Sequence, residues 1–89
     1  MDQNNKSSDE VKFPVLCYYK IIAEDHAGIE ERIKKALESE GIFSELKLGR
    51  KSSHEKYITF NVDILVVSKE YMERIDAVLR NIQGVKFVL

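Results

Sequence analysis

The sequence predicts an α+β domain of the ferredoxin-like kind, with element order βαββαβ and two helices on one face of a four-stranded antiparallel sheet. Three observations carry this prediction. Two stretches repeat apolar residues at helical spacing, Ile29 to Leu37 and Met72 to Ile82, and each is closed by a glycine, Gly41 or Gly84. The stretches around them alternate with period two, as half-buried strands do. The two central strands are joined only by the polar turn Ser52 to Glu55, so they form a hairpin, whereas the outer connections run through helices. That combination is the split βαβ plan, with right-handed crossovers.

Size and composition bound the answer. Eighty-nine residues make one domain, expected to bury roughly 60% of its unfolded surface. A formal net charge of −1 argues against a dedicated nucleic-acid binder, which carries a basic excess, and against a polybasic membrane-surface protein. No apolar run approaches the roughly 20 residues that cross a bilayer. Met1 to Lys12 lack the apolar core of a secretory signal, so the expected location is cytoplasmic. Cys17 is the single cysteine, which rules out an intramolecular disulfide and suits a reducing compartment.

Taken in order, residues 1–12 hold one aliphatic side chain, Val11, and are expected to form a flexible tail. The folded domain is placed at residues 13–89. Pro14 cannot donate to a ladder and belongs just before a strand or on its edge. Leu16 to Glu24 reads as the first strand, with Cys17, Tyr19, Ile21 and Ala23 inward and Leu16, Tyr18, Lys20 and Ile22 outward. Asp25 is the expected cap of the first helix. Ile29, Ile33, Ala36 and Leu37 form that helix's apolar stripe. Glu30 with Lys34 and Glu31 with Lys35 stand in the favourable i,i+4 order on its solvent side. Gly41 supplies the left-handed stop.

Ile42 to Lys51 is the expected second strand, with Leu46 and Leu48 on one face. Lys56 to Val67 gives the longest alternation, Ile58, Phe60, Val62, Ile64 and Val66 inward and Tyr57, Thr59, Asn61 and Asp63 outward. Such a sheet is buried on one side. Ser68 caps the second helix; Met72, Ile75, Val78, Leu79 and Ile82 line its core side, and Asn81 and Gly84 end it. Val85 to Leu89 is the last strand.

Phe13-Pro14, Tyr19-Lys20-Ile21-Ile22, Lys51-Ser52-Ser53, Lys56-Tyr57-Ile58-Thr59 and the closing Gly84-Val85-Lys86-Phe87-Val88-Leu89 fall in one order along nearly the whole folded part. In this the chain resembles the YbeD-like family of small uncharacterised bacterial proteins. The resemblance implies an ACT-like regulatory-domain fold and no agreed activity. Locally, Asp25-x-x-Gly28-x-x-x-x-Ile33-x-x-x-Leu37-x-x-x-Gly41-Ile42 is similar to the opening motif of ACT domains. That likeness implies an amino-acid site at the loop Asp25, His26, Ala27 and Gly28. A helix N-terminus suits a carboxylate, and Gly28 lets a ligand approach the backbone. The same residues also serve a plain cap and tight turn.

Tyr18, Lys20, Tyr57, Thr59 and Asn61 are expected on the open sheet face, as a contact surface for a protein partner or a second copy, or simply as a solvated face. The aromatic strand around Tyr57 also bears a faint likeness to RNA-recognition sheets, but Asp63 adds negative charge there, so nucleic acid is the weakest of the readings. Arg50, Lys51, His54 and Lys56 make the hairpin basic, as charged hairpin tips are. Cys17, His26 and His54 do not fall at metal-ligand spacings. No nucleophile stands beside a base, and no phosphate or dinucleotide loop is present. The expectation is a non-catalytic module without metal or cofactor, regulatory or protein-binding and able to form a homodimer. The alternative is a sensor of an amino acid or similar metabolite.

Overall fold

The computed structural model describes residues 12–49 and 56–89. Residues 1–11 of the expected tail and the basic residues Arg50, Lys51 and His54 lie outside the described residues. The elements are β1 (Val15–Glu24), α1 (Ile29–Glu38), β2 (Lys47–Leu48), β3 (Tyr57–Val66), α2 (Lys69–Arg80) and β4 (Val85–Val88). The sheet order is β2-β3-β1-β4, and every neighbouring pair is antiparallel. This is the expected βαββαβ sandwich.

β1 and β3 pair along their whole length, from Val15 opposite Val66 to Glu24 opposite Tyr57. Because side chains alternate across a strand, this register puts Ile21, Ala23, Phe60, Val62, Ile64 and Val66 on one face, and all are buried. Ile29, Ile33 and Leu37 of α1 and Ile75 and Leu79 of α2 cover that face and are buried with them. Each such aliphatic chain contributes about 1.5–3 kcal/mol on leaving water. The faces read from period two are therefore the observed ones.

The end of α1 also matches the sequence. Gly41 (φ 78°) is left-handed; its N–H reaches the Glu38 carbonyl, and the Ile42 N–H reaches back to Leu37. Those two bonds are the Schellman pair that satisfies the last helical carbonyls. Ser68 caps α2 as expected, its hydroxyl oxygen accepting the Tyr71 N–H at 3.0 Å.

Three local expectations are corrected. The cap of α1 is Gly28 (φ 86°), with no side-chain cap bond, and not Asp25. The N–H of Asp25 is bonded to the Lys56 carbonyl at 2.8 Å; that bond ties Asp25 to the start of β3, three residues too early to cap. The second strand is Lys47–Leu48 and not Ile42 to Lys51. Ile42 spends its N–H on the helix end, and Phe43 and Ser44 line a pocket of about 170 Å³ together with Ile64, Leu65 and Tyr71. The ladder with β3 is formed at Lys47 and Leu48. The pairs Glu30–Lys34 and Glu31–Lys35 are absent from the ion pairs of the described residues, which join Glu24 to His26 and Lys86, Glu40 to Arg74, and Asp76 to Arg80.

Candidate functional site

The pleat of β1 and β3 determines what the open face carries. Reading along the register, Leu16 lies opposite Leu65, Tyr18 opposite Asp63, Lys20 opposite Asn61, Ile22 opposite Thr59 and Glu24 opposite Tyr57. β2 adds Lys47 beside Asn61. β4 adds Phe87 beside Ile22, and Leu89 beside Lys20 through a reciprocal pair of backbone bonds at 2.9 and 2.8 Å. The structure thus brings Tyr18, Lys20, Tyr57, Thr59 and Asn61 onto one surface, as the alternation required.

That surface is more apolar than the five residues named from the sequence. Tyr18 is 74% exposed, Leu89 69%, Phe87 60%, Leu65 56% and Leu16 46%. Carrying the β3 alternation two residues beyond Asp63 would have found Leu65. Phe87 and Leu89 had no such signal. The register slips between Ile22 and Ala23, where Phe87 and Val85 are the partners and Lys86 is left over. This bulge sets which β4 side chains face outward. Lys86 reaches Glu24 at 3.1 Å, which neutralises the charge at that end.

The loop from β1 to α1 is a different environment. Asp25, His26, Ala27 and Gly28 are all exposed. His26 Nδ1 lies 3.2 Å from the Ala27 carbonyl, and its Nε2 is 4.0 Å from the Glu24 carboxylate. The Arg32 guanidinium, one turn into α1, donates to the Gln83 carbonyl at 3.0 Å, so the loop sits against the turn that leads into β4. A groove between the two helices contains Arg32, Arg74 and Asn81, and another beside β1 contains Cys17, Tyr19 and Met72. Neither includes residues 25–28.

Electrostatic perturbation lies away from both places. Burial pushes the Tyr19 phenol above its ordinary value, and Cys17, Asp76 and Tyr71 add to the shift. The Arg74 guanidinium, hydrogen-bonded to Glu40, holds that carboxyl below the usual glutamate value. Cys17 is a half-buried free thiol packed against the core. Among the described residues no three His, Cys, Asp or Glu side chains converge to hold a metal ion. No helix among them is long and apolar enough to cross a membrane.

Comparison with known proteins places this architecture. The family model described as a protein of unknown function, DUF493, matches residues 8–89. A UPF0250 protein of Shewanella oneidensis is 24% identical over 86 residues, which is 97% of this chain and 98% of that protein. The solution structure of HP0495 from Helicobacter pylori aligns with a TM-score of 0.77 at 20% identity, covering 100% of this chain and 98% of the other. The ACT domain of the GTP pyrophosphokinase of Chlorobium tepidum aligns with a TM-score of 0.59 at 22% identity, covering 83% and 94%. These structural likenesses establish an ACT-like fold.

Proposed function

Given that the chain belongs to the DUF493 family, described as proteins of unknown function, we propose that it is a non-catalytic regulatory module that acts by contact, with a second copy of itself seated on the open sheet face. The carrying observation is the exposure of Leu16, Tyr18, Leu65, Phe87 and Leu89 on a single face. Contiguous exposed apolar surface of this kind marks an interaction site.

The polar residues of that face favour self-pairing. Asp63 and Tyr18 form one row and Asn61 and Lys20 the next. A two-fold axis lying between these rows, across the strands, sets each row over the other row of the second copy. Asp63 then meets Asn61 with Lys20 diagonal to it, Tyr18 meets the Lys20 ammonium, and Leu16 meets Ile22. Such an isologous contact satisfies itself twice, and packing two sheets face to face is a standard arrangement.

Light scattering of the full chain over a range of concentrations tests this. The expected result is a dimer that Asp63→Lys dissociates and that the combination Asp63→Lys with Lys20→Asp restores. A strict monomer at the highest attainable concentration, or a dimer indifferent to Asp63→Lys, overturns it.

Two observations support a second reading, a metabolite sensor at Asp25 to Gly28. The N-cap residue Gly28 makes no side-chain cap bond, and nothing stands within 4 Å of where a Gly28 β-carbon would lie, which leaves room for an anion to approach the first-turn N–H groups beyond Ile29, whose own N–H is bonded to the His26 carbonyl. Amide-resolved titration with amino acids tests it: saturable shifts at residues 25–29 support the sensor, and an unmoved loop removes it.

A further inference from the structure

β1 is paired on only part of one side. On its β3 side the ladder runs from Val15 to Glu24. On its β4 side it covers Ile21 to Ala23 and ends at Lys20, whose N–H and carbonyl both bond Leu89. Ladder bonds alternate in direction along an antiparallel strand, so the N–H and carbonyl of Tyr18 and Leu16 point the same way as those of Lys20. Among the described residues nothing pairs with them there.

This open edge is the floor of a groove. Cys17, Tyr19 and Leu89 on one side and Met72, Glu73 and Asp76 of α2 on the other enclose about 410 Å³. The groove is therefore an exposed backbone ladder roofed by a helix, with apolar side chains inside and carboxylates at its rim. Asp76 is paired with Arg80 at 2.8 Å; Glu73 makes no ion pair among the described residues.

We propose that the Leu16–Tyr18 edge of β1 is a β-addition site for an extended peptide that runs in line with β4, antiparallel to β1. Main-chain bonds to Tyr18 and Leu16 supply affinity, and alternate side chains supply selectivity. The peptide position opposite Tyr18 faces outward and the one opposite Cys17 faces inward; the position opposite Tyr19 stays empty, because the carboxyl group of Leu89, the partner of Lys20, extends into it. Inward positions take Val-sized side chains over Cys17 and Met72. An Arg or Lys among them meets Glu73, the carboxylate there that makes no ion pair among the described residues, and that charge match selects a basic peptide over an acidic one. This site borders the open face at Tyr18 and Leu89 but differs from it in using the backbone edge of β1 for its main-chain bonds.

The test is an amide-resolved NMR titration of the labelled full chain with an acetylated Thr-Val-Thr-Arg-Thr-Val amide. The expected result is saturable shifts at Leu16, Tyr18 and Leu89 and slowed exchange of the Tyr18 N–H. Tyr18→Pro removes the edge donor together with the phenol and weakens binding about tenfold or more, the scale of one or two lost hydrogen bonds. Tyr18→Ala keeps that donor and retains binding, which separates the edge from the sheet face. Replacing the peptide Arg by Glu weakens binding. Equal binding by a peptide N-methylated at its ladder-facing amides overturns the proposal. So does a Tyr18 N–H already protected in the peptide-free chain, because the edge is then filled.

Discussion

Gly84 packs directly on Ile29: a β-carbon added at Gly84 would stand 2.9 Å from Ile29 Cδ1 and 3.3 Å from His26 Nε2. The turn that starts β4 is thereby pressed onto the first residue of α1. Gly84 is also left-handed (φ 98°), so it meets two demands at once. Gly41 (φ 78°) meets only the second, since nothing lies within 4 Å of a β-carbon added there. Gly41→Ala is expected to cost about 1–2 kcal/mol of left-handed strain. Gly84→Ala adds overpacking and should cost about 2–4 kcal/mol in total. Urea denaturation of both variants checks this, and equal losses would remove the packing argument.

Ser68 is the side-chain cap of α2. Ser68→Ala should lower stability by about 1 kcal/mol, and Ser68→Asp should restore most of that. Thermal denaturation of the three proteins reads the difference.

Glu40 and Arg74 join the end of α1 to α2 through two guanidinium–carboxylate bonds, the longer of them 3.3 Å. The folded Glu40 carboxyl titrates below its ordinary value because of that hydrogen bond. On acidification the unfolded chain therefore takes up the proton first. The pair's contribution is present above the ordinary glutamate value and lost as pH falls through the lowered one. Glu40→Gln should flatten this acid limb in a series of melting temperatures against pH. An unchanged limb would assign it to other carboxylates.

Leu48 lies opposite Phe60 in the register yet is 64% exposed, whereas Ile64 is 1% exposed. Leu48→Ala should cost less than about 1 kcal/mol, and Ile64→Ala about 2–5 kcal/mol. A large loss at Leu48 would mean that β2 is more extensive in solution than the two residues Lys47 and Leu48.

Gly28→Val is a poor probe of the loop, because Gly28 (φ 86°) is left-handed and a β-branched residue is strained there. His26→Ala leaves the backbone geometry alone. It should keep stability within about 0.5 kcal/mol, as exposed substitutions do, and weaken an amino-acid ligand if residues 25–28 hold one. Calorimetry with and without that ligand separates the two effects.

Much of this was legible from residue spacing. Ile58 to Val66 alternate so cleanly that their faces follow from the pleat alone, and Gly41 announced the end of α1 because few other residues tolerate its φ. The composition of the open sheet face was legible in part. Tyr18, Lys20, Tyr57, Thr59 and Asn61 share it as expected, but Phe87 and Leu89 join them only through the bulge at Ile22 and Ala23. A bulge shifts parity by one residue, and no side chain in Val85 to Leu89 encodes where it falls. The cap of α1 was misread for a related reason: Asp25 has the right chemistry, but its N–H is held by Lys56 across the sheet.

The sequence by itself determined the order βαββαβ, the inward and outward faces of β1 and β3, the buried stripes of both helices and the glycine stops, because each follows from the local period of side-chain direction. Only the tertiary structure decided the length of β2, the cap at Gly28, the partners of Phe87 and the edge at Leu16 and Tyr18 that no described residue pairs. Those depend on which distant backbone runs alongside, and a hydrogen-bonded ladder exists only where the second strand comes within reach.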